Sequence, residues 1–463
     1  MISVQDVVPL LPGPIRSTAL TLAGYWIYHS RFNDHFFRTL SEFEASADAS
    51  IEMLHEIQRV RLDKWIVRAR HHVPHYKDLP PPSNKRNHFE AIQETLSTIR
   101  PLEKDLYASN VGSFIANDVP RRKLRRSHTS GTTGTALPLW HTQEALAEEY
   151  AAIWRMYRSY GVQLRDPKMS FGGNMITPFR QLKPPFWRTN YYEGQTLFST
   201  YHLKPRNLHA YVAAIHTTPS RYAQGYPSSL NLVAQALLDA GRPLPRGRLA
   251  AVFPSSERLL ASHRENIEAA FCAPVANRYG SSEFAVSMTS CRLNNLHVDM
   301  EFCIVEVEVE EETDEYVRGP ILVTGLAPSA TPFFRYRIGD VGTRSKRPCP
   351  CGRAGDVFLD VDGRTDDYIM TPDGRLIGRL DHIFKDMHDV AEAQICQDRK
   401  EAVEIRIAPR ISFNRSSEDH LMREIRRRLG TEIEVGLVVM QEIPRERNGK
   451  FRAVKSSLMG QLR

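Results

Sequence analysis

The 463-residue chain contains no apolar run approaching the ~18–20 residues that a membrane-spanning helix needs, so membrane insertion is not expected. Its N-terminal apolar stretch, Ile15 to Tyr28, is interrupted by Arg16, Ser17 and Thr18 and lacks a basic leader, so no secretory signal is read there. Cysteine is scarce, with six residues and no disulfide-like framework, which favours a reducing cytoplasm. Helix-turn-helix spacing, an aromatic RNA-binding box, tandem zinc-finger patterns and internal repeats are all missing, so no nucleic-acid partner is expected. A formal net charge of +7 does not decide between nucleic acid and small anionic substrates. The densest basic cluster, Arg121-Arg-Lys-Leu-Arg-Arg126, reads equally as a solvated segment or as a polyphosphate-steering one.

What is present begins directly after that cluster. In Arg126-Ser-His-Thr-Ser-Gly-Thr-Thr-Gly-Thr135, the residues Thr129, Ser130, Gly131, Thr132, Thr133 and Gly134 offer hydroxyls and unobstructed backbone N–H groups, the donor set of an anion-binding turn. No Gly-Lys-Ser/Thr follows, so this is not a Walker loop. Three further segments come in order: Arg278-Tyr-Gly-Ser-Ser-Glu283, Arg335-Tyr-Arg-Ile-Gly-Asp340 and Gly363-Arg-Thr-Asp-Asp-Tyr-Ile369. Asn448-Gly-Lys450 lies near the C-terminus.

From about residue 125 to 455, this succession resembles the adenylate-forming superfamily of acyl-CoA synthetases and adenylation domains. Finer matches resemble its phenylacetate-CoA ligase-like branch, in particular CapK-type relatives. They are Arg61-Leu-Asp-Lys64 with His72-Val-Pro-His-Tyr76, Gly225-Tyr-Pro-Ser-Ser-Leu230, Ser255-Ser-Glu257 and Cys349-Pro-Cys-Gly-Arg353.

The resemblance implies an ATP-dependent ligase. It would join a small-molecule carboxylate to AMP, release pyrophosphate, and pass the acyl group to CoA or another acceptor. Thr129 to Gly134 would hold the β- and γ-phosphates and Glu283 would coordinate Mg2+. Tyr279, in the turn with Gly280 and Ser281, would stack on adenine; Asp340 would accept the ribose hydroxyls, with Arg364 at ribose or phosphate. Lys450 would stabilise charge between carboxylate and α-phosphate, and Asp366 would be the hinge of a rotating lid. Phe171, Gly172, Tyr226, Phe253 and Ser255 are candidates for the acyl pocket, while Ser256-Glu257 would contact substrate or cap the helix that follows. Cys291, His297, Cys349 and Cys351 form a Cys3His set suited to structural Zn2+. One departure stands out: relatives carry a lysine just after the phosphate loop, where this chain has Thr135-Ala-Leu-Pro138. Arg125, Arg126 or a lid residue would have to replace it.

The expected fold is α/β: a large layered body over 1–363, helical in its first 110 residues, and a small mobile α+β lid over 364–463. Within the body, Ile51, Leu54, Ile57 and Val60 predict one helical face, and Leu146, Tyr150, Ile153 and Tyr157 another, capped by Thr142. Ile304 to Glu310 alternates as a half-buried strand with glutamates facing water. In the lid, a hairpin around Pro372-Asp-Gly374, a helix near 380–397, a strand at 402–408, a helix at 417–429 and a strand at 433–440 are expected. Amide or ester formation without CoA, adenylyl transfer that leaves AMP on the product, and a non-enzymatic nucleotide-binding role remain open, as does a homodimer.

Overall fold

The structure is a computed structural model that describes residues 8–128, 137–178, 180–364, 369–372, 376–377, 380–384, 387, 389–430, 432–446 and 451–458. Thr129 to Gly134, Asp366 and Lys450 lie outside the described residues. The chain divides into two compact units, one of Tyr25–Gln163 with Ala276–Val361, the other of Met1–Gly24, Leu164–Val275 and Asp362–Arg463.

In the first unit, helices span Asp34–Ala45, Ile51–His72, His88–Ser97 and Lys104–Ser109, in line with the helical N-terminal reading. Asn33, Ser50 and Asn87 start three of them, each side chain accepting an orphan first-turn N–H. The buried stripe of the 51–72 helix differs from the expected one. It runs through Leu54, Gln58, Leu62, Trp65, Ile66 and Ala69, whereas Val60 is 61% exposed. Gln58 belongs to that stripe because its amide donates to the Cys303 carbonyl at 2.9 Å, a polar tie that an apolar pattern does not reveal.

Thr142 caps the Gln143–Ser159 helix as expected, accepting the Ala145 N–H at 3.0 Å. The face it buries, however, carries Glu148, Glu149 and Arg155 beside Tyr157, while Leu146, Tyr150 and Ile153 are only half-buried. Glu148 is met by His35 and Arg61 from neighbouring helices and Glu149 by Arg278, on the last strand of a sheet that runs in the order 303–307, 316–325, 336–345, 357–364, 296–298, 287–290, 278–280. The first strand is Cys303–Val307, shorter than the alternation suggests, and Glu306 pairs with Arg335 at 3.0 Å instead of only facing water.

Asp299 sits at the centre of this unit with no exposed surface. Arg155 reaches it at 2.6 Å and Arg353 at 3.0 Å, and the hydroxyls of Ser287 and Thr289 donate to it at 2.7 and 2.9 Å. Burial alone pushes its carboxyl upward, but the two guanidinium groups and the hydrogen bonds hold it below the usual carboxylate range. Arg155 also pairs with Glu301 at 2.6 Å.

The second unit contains a five-stranded sheet in the order 187–190, 195–199, 168–172, 222–225, 251–254. Three of its four pairings are parallel and the one with the 187–190 edge strand is antiparallel; helices Leu208–Thr217 and Pro227–Asp239 lie among the connections, and Ala261–Phe271 follows the last strand. All four residues of Ala251–Pro254 are buried, as in a parallel sheet covered on both faces. Met169, Phe171, Tyr211, Leu230, Val252 and Phe271 belong to the core.

The same unit holds the C-terminal residues. Strands 369–370 and 376–377 form the expected hairpin. A second sheet orders 434–439, 402–409, 390–399 and 454–456, and the Arg415–Leu429 helix shares with it a core of Ile395, Ile405, Ile407, Leu421 and Ile425. Instead of a helix near 380–397, a short 3-10 turn at Leu380–Phe384 precedes the strand Val390–Arg399, which buries all of Gln394 to Gln397 and pairs with both 402–409 and 454–456. Tertiary pairing overrides helical propensity there. None of the helices among the described residues is long and apolar enough to cross a membrane.

Removing Arg155 would leave Asp299 and Glu301 buried without their shared cation. Arg155→Met is expected to cost about 3–5 kcal/mol of stability, read as a lowered midpoint in chemical denaturation.

Candidate active site and metal cluster

The 278–280 strand carries Tyr279 and Gly280, and the following turn carries Ser281 and Glu283. Arg278 is fixed from behind by an ion pair with buried Glu149. A Cβ on Gly280 would lie 2.7 Å from the Arg278 guanidinium, so a larger residue there would have to displace that side chain. Tyr279 donates its phenol hydrogen to Asp340 at 2.5 Å, so two residues 61 positions apart form one unit. Asp340 lies on the 336–345 strand. Glu283 is buried, and the Tyr336 hydroxyl approaches its carboxylate at 3.5 Å.

After Glu283, Phe284 takes a left-handed backbone (φ 55°) and stacks on His141 at 4.1 Å. His141 Nε2 in turn meets the Ser127 hydroxyl at 2.8 Å. Ser127 and His141 belong to strands 125–128 and 138–141, which flank the phosphate-loop residues and pair antiparallel. His141 therefore joins the base of that hairpin to the Glu283 turn. Of the cations suggested for the missing lysine, Arg125 donates to the Ser30 hydroxyl at 2.7 Å and Arg126 lies over the Trp140 ring. The backbone of Arg364 ends the Val357–Arg364 strand; its side chain lies outside the described residues.

In the second unit, Phe171 and Phe253 turn their rings into the core, Phe171 stacked on Phe198 at 4.8 Å and Phe253 edge-on to Tyr222. Any contribution of these two positions to a ligand would come from backbone. Gly172, Tyr226 and Ser255 are half-buried. A Cβ on Gly225 would lie 2.3 Å from the Phe171 carbonyl oxygen, and this close approach lets the Tyr226 N–H donate to that same oxygen at 2.9 Å. Glu257 does not cap the helix that follows it, whose N-cap is Leu260 without a side-chain hydrogen bond; it accepts the Ser228 N–H of the earlier 227–239 helix.

The four residues read as a metal set converge. The ligand atoms of Cys291, His297, Cys349 and Cys351 lie within 4.8 Å of one another. Cys291 and Cys349 sulfurs are 3.8 Å apart and Cys351 lies 3.3 Å from His297 Nε2. Tetrahedral bonds of ~2.3 Å to sulfur separate ligands by roughly 3.8 Å, so the donor set and spacing fit a closed tetrahedral ion. Burial, aided by the nearby Arg353 charge, pushes His297 down to about 4, which keeps the imidazole neutral as a ligand must be. Arg353, the last residue of the cysteine turn, is the group that reaches Asp299.

Comparison with known proteins places the chain as follows. Residues 369–457 match the family model of the CapK C-terminal domain. Over 447 residues, 94% of this chain and 95% of the relative, the sequence is 24% identical to Protein CapK of Staphylococcus aureus. The likeness to CapK thus runs along nearly the whole chain, and the family-model match lies at its C-terminal end. Among solved structures, 2-hydroxyisobutyryl-CoA ligase in the postadenylation state with R3-HIB-AMP aligns at a TM-score of 0.65 and 18% identity, over 90% of this chain and 92% of that one. The same ligase with 2-HIB-AMP and CoA in the thioesterification state aligns at 0.53 and 18% identity, over the same shares. The fold is that of the adenylate-forming ligases, as the sequence motifs imply.

The Tyr279–Asp340 contact, the His141 bridge and the Glu149–Arg278 pair were not legible in sequence. Each joins residues far apart in the chain, and Glu149 and His141 sit in no motif. Two outcomes follow. Purified protein is expected to carry a stoichiometric tetrahedral metal ion by elemental analysis, lost in Cys349→Ser or Cys351→Ser. Burial holds His141 down to about 4 against an ordinary 6.5, so the unfolded chain takes up its proton first. The stability this ring confers is complete above pH 6.5 and declines toward pH 4, and His141→Gln should flatten that part of a denaturation-versus-pH profile.

Proposed function

We propose that the chain is an ATP-dependent ligase that activates a carboxylic acid as acyl-AMP and transfers the acyl group to CoA or another nucleophile. The observation that carries this reading is the hydrogen-bonded Tyr279–Asp340 pair beside buried Glu283, on a sheet belonging to the adenylate-forming fold. Structures of that fold include ligases solved with acyl-AMP and with CoA.

In the first step a carboxylate oxygen attacks the α-phosphorus of ATP, the bond to the bridging oxygen breaks, and pyrophosphate leaves. Tyr279 packs against adenine while Asp340, oriented by the Tyr279 phenol, accepts from ribose. Glu283 supplies a hard carboxylate for Mg2+, which neutralises phosphate charge when bound. Thr129 to Gly134 hold the terminal phosphates, Arg364 assists at ribose or phosphate, and Lys450 stabilises the charge developing at the α-phosphate. In the second step the acceptor attacks the acyl carbon and AMP departs. A lid of residues 364–463 turning about Asp366 would exchange one step for the other. Zinc at Cys291, His297, Cys349 and Cys351 would be structural, leaving no open coordination position.

ATP–pyrophosphate exchange across a panel of aryl and amino acids tests the first step, and product mass with CoA, amines or alcohols identifies the acceptor. Lys450→Ala is expected to reduce exchange by at least about a hundredfold. An unchanged rate in that variant, or exchange with no acid tried, overturns the reading.

A further inference from the structure

Glu257 and Arg258 are consecutive, and both reach the C-terminal stretch that begins at Asp362. One oxygen of Glu257 accepts the N–H of Phe451 at 2.6 Å. The other accepts the N–H of Ser228 at 3.1 Å, in the first turn of the 227–239 helix, where that donor has no partner within the helix. Arg258 donates to buried Asp362 at 3.1 Å, so adjacent side chains hold both the entry to the C-terminal residues and a point almost at their end. Ser256, just before them, takes a left-handed backbone with φ 72°, a conformation that a non-glycine residue keeps only when its surroundings demand it.

The C-terminal side of this contact is equally built. Arg445 pairs with Glu392, their side chains 14% and 9% exposed, and its guanidinium lies 4.9 Å from the centre of the Phe451 ring. The other links between the same two stretches, Lys204–Glu442 and Arg410–Asp239, involve exposed partners and count for little in water. Burial holds the Glu257 carboxyl above the usual carboxylate range, and the Phe451 and Ser228 donors and the Arg445 charge offset only part of that rise. A carboxylate that takes two backbone N–H groups from chain segments more than two hundred residues apart has the geometry of a clamp.

Phe451 immediately follows Lys450 in the chain. We propose that Glu257 is a positioning residue that pins the backbone next to Lys450 to the first turn of the 227–239 helix, and so sets the place from which the lysine acts. The functional half of this statement rests on the reading of Lys450 given above; the contact itself does not.

Hydrogen–deuterium exchange on the full chain without ligands separates the two. In Glu257→Ala, peptides covering 451–458 should exchange about tenfold faster, the scale of a lost hydrogen bond to a charged group, while peptides of the 402–409 strand stay unchanged. Glu257→Gln keeps one acceptor oxygen and should fall between wild type and the alanine variant; it decides the matter if the alanine variant loosens the whole unit. Wild-type exchange at 451–458 in both variants overturns the proposal. For the functional half, Glu257→Gln should lower kcat of acid-dependent pyrophosphate exchange with little change in KM for ATP, and an effect confined to KM overturns it. If Lys450→Ala leaves pyrophosphate exchange intact, the reading of the lysine fails, and amide exchange still decides the Glu257 contact.

Discussion

The Asp299 carboxylate is the point on which the first unit depends. A buried charge is stable only when it is paired and its remaining lone pairs are satisfied, and here Arg155, Arg353, Ser287 and Thr289 divide that task. Each partner belongs to a different working part. Ser287 and Thr289 lie on the strand that pairs with 278–280 and therefore register Tyr279 and Gly280. Arg353 ends the turn that presents Cys349 and Cys351, and Arg155 comes from the helix that also supplies Glu149 to Arg278. One acidic group thus ties the Cys3His cluster, the Arg278 segment and a largely buried helix together. An apolar replacement could fill the volume but could not fix three directions at once.

That constraint explains the shape of the candidate nucleotide-binding residues. Tyr279 and Asp340 come from strands that three others separate in the sheet, so the 2.5 Å hydrogen bond between them requires the sheet to curl and bring the two positions together. Glu283 follows a turn whose next residue stacks on His141, and His141 is bonded to the strand leading into Thr129 to Gly134. Groups that would meet different parts of one substrate are connected through rigid elements, which is what a site needs in order to act without reorganising.

How much of this the sequence made legible depends on whether the signal was local. The Thr142 cap, the 372–374 hairpin, the strand at 402–409 and the Arg415–Leu429 helix were readable because turn chemistry and periodicity act over a few residues. The Cys3His cluster was readable because cysteine is scarce and the Cys349-Pro-Cys351 spacing is distinctive. The 380–397 segment was misread as helix because its fate is decided by pairing with 402–409 and 454–456, information that no local window contains. Buried charges were the other blind spot. Glu149, Arg155 and Asp299 look like surface residues until the partner from the other end of the chain is known, and Glu257 was noticed in sequence but its partner Phe451 could not be inferred.

Backbone strain follows the same division. Of the six non-glycine residues with positive φ among those described, Phe284 follows Glu283, Arg335 opens the segment that ends at Asp340 and Ser256 precedes Glu257, while Arg165, Cys272 and Asn294 lie elsewhere. Each such conformation costs of order 1 kcal/mol or more, so surrounding contacts must hold it. Arg335 is secured through its N–H to Thr324, its guanidinium to Glu306 and to the Ile99 carbonyl; Phe284 is secured by His141. At Phe284 and Arg335 the strain lies beside Glu283 and in the segment that ends at Asp340, and the long-range contacts that hold it also fix the direction of those segments. A fold selected for stability alone would have placed glycine or asparagine at these positions.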